Sequence, residues 1–147
     1  MNRYTSDPMD VPEVDEDGRV DLVFYGVDHS GPSYEARVFL NNPDATLETP
    51  RNAESGYAGS FNVFGHGACY GEEGHCDPQT EFHDDFDLRP PHPLEPLTKT
   101  VIVTRALRRI EGDTVTVTVV AAEHGSEQAV ESDALAFEHL RLAAYEG

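Results

Sequence analysis

The stretch TVTVTVVA (114–121) alternates Thr with Val, and its reading decides the fold. A period of two places Val115, Val117 and Val119 on one side of an extended chain and the threonines on the other. That predicts a strand with one face on a core and one on water, the pattern of an antiparallel sheet solvated on one side. Just upstream, TKTVIVTRALRRIEG (98–112) predicts a strand at TVIV. Thr104 is then placed to cap a single helical turn through ALRRI, which Gly112 stops. Downstream, the polar turn EHGSEQ (123–128) leads into LAFEHLRLAAY (135–145). There Leu135 and Phe137 share a phase, and Leu140 and Leu142 share another; the slip predicts a bulge.

Towards the N-terminus the same signals recur. VDLVFYGV (20–27) is rich in β-branched and aromatic residues, and the cluster His29-Ser30-Gly31-Pro32 reads as a turn. YEARVFLN (34–41) puts Tyr34, Ala36, Val38 and Leu40 on one face. Residues 41–56 carry two prolines and little apolar content, a loop, before YAGSFNVFGH (57–66) forms the next strand. Residues 77–97 hold five of the ten prolines together with Phe82, Phe86, Leu88 and Leu94, an ordered excursion. Residues 1–19 are acidic and aperiodic, a mobile leader or an edge segment, ahead of a single domain over 20–147. The expectation is an all-β antiparallel sandwich of about six or seven strands, with long loops and at most one short helix.

Charge narrows the function classes. The net charge is −18, with 28 acidic residues against nine Arg and the single Lys99. Such a field repels phosphate backbones, which argues against a nucleic-acid partner. Scarce Lys and abundant carboxylate also fit adaptation to high salt, or a GC-rich genome. No apolar run approaches the roughly 20 residues of a membrane span. The first residues lack the basic start and apolar stretch of a signal peptide, so the chain as written reads as soluble and cytoplasmic.

Both cysteines lie in FGHGACYGEEGHCD (64–77). His66, Cys69, His75 and Cys76 form the pattern H-x2-C-x5-H-C, and thiolates with imidazoles are natural ligands for zinc or Cu(I). The spacing is not that of a zinc finger. Adjacent residues in extended chain also point to opposite faces, so His75 and Cys76 do not converge by default. A Cys69–Cys76 disulfide closing the loop is the competing reading, and free thiols a third. His83 and His92, with Asp84, Asp85 and Asp87, make a secondary cation candidate, against which a solvated loop in a chain acidic everywhere is the favoured reading. The chain carries no G-x-S-x-G elbow, no H-E-x-x-H and no P-loop, and Ser60 has no base near it in sequence.

Two segments together resemble a known family. YAGSFNVFGH is similar to the A-G-S-F-x-x-x-x-H strand in the C-terminal domain of plant polyphenol oxidases, with related strands in molluscan hemocyanins. EARVFLN sits where that domain carries K-F-D-V-x-x-N; Val38 and Asn41 match, whereas Glu35, Ala36 and Arg37 do not. FGHGAC and DLRPPHP look like segments of bacterial tyrosinase-like proteins. The resemblance spans about residues 20–145.

In that family a helical domain holds two coppers through six histidines, and the C-terminal β-sandwich packs over the active-site entrance. The resemblance therefore implies a non-catalytic module, lacking the dicopper domain, that shields a type 3 copper oxidase or assists its copper loading. His66, Cys69, His75 and Cys76 would then be transient Cu(I) ligands, with His66 aligned on the family's strand-end histidine. Phe64, Tyr70 and Phe82 are aromatic candidates for reaching a partner's active site. The alternatives are a free-standing Cu(I)- or zinc-binding protein, or a structural sandwich with a disulfide clasp.

Overall fold

The computed structural model describes residues 2–65, 95–123, 128–130 and 134–147. In chain order the elements are β1 (Arg3–Thr5), β2 (Met9–Asp10), β3 (Arg19–Val27), β4 (Tyr34–Leu40), β5 (Tyr57–Val63), β6 (Leu97–Ile102), α1 (Thr104–Leu107), β7 (Thr114–Val115), β8 (Val117–Glu123) and β9 (His139–Tyr145). Every strand pair is antiparallel. The sheets run β1-β8-β4-β5, β6-β3-β9 and the small β2-β7. The all-β sandwich expected from the alternating segments is the fold found. None of the described helices is long and apolar enough to cross a membrane.

The core lies between the two larger sheets. Val20, Leu22 and Phe24 of β3 meet Ala36, Val38 and Leu40 of β4 and Val117, Val119 and Ala121 of β8 in one cluster. Phe24 is its pivot, fully buried, with ring centroids 4.8 Å from Phe61 and 5.2 Å from Phe137. The alternation read in 34–41 and 114–121 thus matches the inner faces of β4 and β8.

The opposite face of β8 departs from expectation. Thr118 is completely buried and Val120 nearly so, instead of facing water. The loop 41–56 folds back over this face, where Ala45 and Leu47 pack with Phe39, Tyr57 and Val120. Arg3 of β1 holds that loop, donating from Nε to the Ala45 carbonyl at 2.8 Å and from a second nitrogen to the Pro43 carbonyl. Thr118 then needs a polar partner, and its hydroxyl meets that of Thr5 at 3.1 Å. The stretch 114–121 is also divided at Thr116. Its amide donates to Asn41 Oδ1 and its carbonyl accepts from the Asn41 amide, while β7 pairs with β2 and β8 pairs with β1 and β4.

Two further local expectations are corrected. Thr104 does not cap the helical turn: Val103 is the cap residue, without a side-chain bond. The Thr104 hydroxyl instead accepts from the Val20 amide at 2.9 Å, tying α1 to β3. The bulge expected in the last strand is absent, since β9 pairs with β3 in unbroken register from Tyr145 to His139. The phase change arises because Leu135 and Phe137 precede the strand. Register shifts occur instead between Phe24 and Val27, where Gly26 takes φ 69°, and between Val38 and Phe39. Only glycine adopts that left-handed conformation without steric cost.

Candidate functional site

The end of the sandwich where β3 turns into β4 is organised by side chains of the turn itself. Asp28 accepts from the Ser30 amide at 3.0 Å and from its hydroxyl at 3.1 Å, closing an Asx turn. The same turn holds both flanks of the segment 66–94. The Gly65 amide donates to Ser33 Oγ at 2.9 Å, and His29 Nε2 lies 2.7 Å from the Glu95 carbonyl. A carbonyl only accepts, so His29 is the donor in this contact. Gly65 is required by close approach: a Cβ there would sit 2.1 Å from the Gly31 carbonyl oxygen and 2.4 Å from the Pro32 carbonyl carbon.

Tyr34, the first residue of β4, lies beneath this turn and is 1% exposed. Its hydroxyl has no hydrogen-bond partner among the described residues. Burial pushes the phenol up to about 12, with the Asp28 carboxylate adding to the shift. Phe64, the aromatic candidate that falls within the described chain, stands 65% exposed at the end of β5.

The remaining candidates, His66, Cys69, Tyr70, His75, Cys76, Phe82, His83 and His92, lie outside the described residues. Among the described residues no group of three or more His, Cys, Asp or Glu side chains is arranged to hold a metal ion. The donor set for a metal therefore rests on residue types in 66–92 alone.

A cleft of about 620 Å³ opens between β1–β2 and residues 135–140. Tyr4, Met9, Leu135, Phe137 and Leu140 supply apolar wall. Its polar members have structural duties: Ser6 Oγ accepts from the Val117 amide and donates to the Asp7 carbonyl, both at 2.9 Å, and His139 stacks on Tyr25. What sequence reasoning missed is the double anchor in the turn 28–33. The Gly-Pro cluster signalled a turn, while the pairings with Gly65 and Glu95 depend on residues more than thirty positions away.

Among the described residues the architecture is an all-β sandwich, with Gly65 and Glu95, on either side of the segment 66–94, bonded to one turn. Two solved structures share it: a recombinantly expressed latent aurone synthase (polyphenol oxidase) and the latent aurone synthase from its natural source, with TM-scores of 0.55 and 0.54. Each is 17% identical and is matched over 98% of this chain but only 24% of its own. The likeness establishes a common fold, and this chain spans about a quarter of the length of those oxidases. No protein-family model matches the sequence. No curated protein matches it either.

Proposed function

We propose that this chain is a non-catalytic accessory module for a type 3 copper oxidase, shielding its active site or assisting its copper loading. The observation that carries the reading is the fold match along nearly the whole chain to a minor part of polyphenol oxidases. The described residues form strands and one four-residue helix, with no helical bundle among them, so we read the matched quarter as the sandwich and not the dicopper domain. The AGSF strand supports the same alignment, because Ala58–Phe61 lies within β5.

In this reading the candidate Cu(I) donors are His66, Cys69, His75 and Cys76, in the segment whose neighbours on either side, Gly65 and Glu95, are bonded to Ser33 and His29. Two or three such donors satisfy Cu(I), which accepts low coordination with sulfur and nitrogen. A Cys69–Cys76 disulfide would leave a shielding role intact and remove the thiolate donors.

The test is co-expression of this chain with the catalytic domain of a type 3 copper oxidase from the same genome. The reading expects the two to co-purify and the oxidase's copper content or latency to rise with the chain present. Independent behaviour of the two proteins under conditions where both are folded overturns it.

A further inference from the structure

The cleft between β1–β2 and residues 135–140 has walls fixed by the fold itself. Asn2, beside β1, bolts the two together: its Oδ1 accepts from the Ala134 amide at 2.9 Å and its Nδ2 donates to the Val130 carbonyl at 3.1 Å. The Asn2 carbonyl in turn accepts from the Ala121 amide of β8 at 2.9 Å. The opposite wall is tied to β3 and the turn after it. There the Glu138 amide donates to the Tyr25 carbonyl and the Asp28 amide to the Ala136 carbonyl, both at 2.9 Å. A site with walls already in place loses little conformational freedom when it takes a ligand.

The lining is aromatic and incompletely covered. Tyr4, Met9, Phe137 and Leu140 pack against the core yet stay half-buried where they line the cleft. Phe137 is held edge-on from two sides, 5.0 Å from the Tyr4 ring centroid at 78° and 5.2 Å from that of Phe24 at 87°. Two fixed rings with a thioether beside them suit a planar aromatic guest, through edge-to-face and sulfur–ring contacts. The volume of about 620 Å³ lies within the roughly 300–1,000 Å³ range of small-molecule sites.

The polar lining sets the sign of the guest's charge. Beyond Ser6 and His139, the cleft carries the carboxylates of Asp7 and Glu138, and no Arg or Lys lines it. The Glu138 side chain occupies room that Gly26 leaves open: a Cβ there would sit 2.6 Å from the Glu138 carboxyl carbon. The ion pairs among the described residues are Arg19–Asp21, Arg37–Glu35 and Arg51–Glu35, so neither cleft carboxylate is neutralised there. The net charge of −18 adds a field of the same sign.

We propose that this cleft binds a small aromatic cation, with its ring against Tyr4, Met9 and Phe137 and its ammonium group facing Asp7 and Glu138. None of these residues belongs to the accessory-module reading. An aromatic anion of the same shape would meet two carboxylates with no cation between them. An aliphatic ammonium would leave the ring wall unused. A second copy of the chain would bring like carboxylates and two strongly acidic surfaces together.

The test is titration of the isotope-labelled full chain with tryptamine, indole-3-acetate and butylamine, followed by amide chemical shifts and calorimetry. Tryptamine should saturate, with shifts confined to residues 2–9 and 134–140, and bind roughly tenfold tighter than either analogue. Asp7→Asn/Glu138→Gln should weaken tryptamine roughly tenfold and remove its advantage over indole-3-acetate. Ala136→Trp, which fills the cleft from an exposed position, should abolish binding. Asp44→Asn/Glu48→Gln makes the same change of charge at exposed positions on the loop over the other sheet and should leave affinity unchanged. Thermal melts confirm folding of each; should Ala136→Trp fail to fold, the carboxylate pair and the shift map carry the test. Equal weakening by Asp44→Asn/Glu48→Gln assigns binding to net charge and overturns the cleft, as does tryptamine that never saturates. Indole-3-acetate binding the parent as tightly as tryptamine overturns the cation. Shifts at residues 2–9 and 134–140 that follow protein concentration without ligand assign the cleft to a second copy and overturn a small-molecule occupant.

Discussion

Replacing Tyr34 by Phe should stabilise this protein. The side chain is 1% exposed at the start of β4, and its hydroxyl lacks a hydrogen-bond partner among the described residues. A buried hydroxyl without a partner carries a desolvation penalty of about 1–3 kcal/mol. Tyr34→Phe keeps the ring and removes the penalty. Allowing for slight loss of packing around the vacated oxygen, the gain is about 1 kcal/mol at neutral pH. For a chain of this size that raises Tm by about 2–4 °C.

The pH dependence gives the same reasoning a second handle. The folded phenol is pushed up to about 12 by burial, and further by Asp28, against about 10 when unfolded. Below about pH 10 the group is protonated in both states, and its contribution to stability is fully present. Between 10 and 12 the unfolded phenol ionises while the folded one does not. Stability of the parent is therefore lost as pH rises through that window, by at most about 1.4 kcal/mol per pH unit. The variant lacks this loss, so its advantage should widen. Urea unfolding followed by far-ultraviolet circular dichroism at pH 7 and pH 11 measures both effects. A variant that is less stable than the parent at pH 7 by 1 kcal/mol or more, a threshold set by the hydrogen-bond scale, refutes the reasoning, because the hydroxyl then has a native partner.

Other expectations follow from the core, the anchor and the cysteine loop. Phe24→Ala, removing the ring between Phe61 and Phe137, should cost about 3–5 kcal/mol, read as a shift of the urea midpoint without a change in slope. Gly65→Ala forces a methyl against the Gly31 and Pro32 carbonyls; faster hydrogen exchange at residues 28–33 should result, with β4 and β8 core amides unaffected. If the loop thiols hold Cu(I), anaerobically purified parent contains bound copper by elemental analysis, and Cys69→Ala/Cys76→Ala loses it. Metal retained by the double variant would move the site to His83 and His92. Protein with no titratable thiol before reduction and no metal would establish the disulfide.

The inner faces of the sheets were legible because apolar side chains recur at every second position in Val20–Phe24, Tyr34–Leu40 and Val115–Ala121. Their environment on the other side was not. Thr118 looks like a solvent-facing residue by alternation, yet the loop 41–56 covers it, and only the meeting with Thr5 makes that burial tolerable. Strands β1 and β2 are too short and too polar to show a period; their place is set by partners more than a hundred residues away. Thr104 has the chemistry of a cap but is used against Val20, a competition that local sequence does not reveal. The cysteine-bearing loop was conspicuous in the sequence. The features that organise its base, His29, Ser33 and Gly65, were visible only as a turn and a strand end.

The proposed function makes this sandwich one part of a two-part copper oxidase system. Its most direct test is the mass of an equimolar mixture of this chain and the type 3 copper oxidase catalytic domain, measured by size-exclusion chromatography with light scattering. A single species whose mass is the sum of the two chains is expected. Two separate species at concentrations well above micromolar would contradict it.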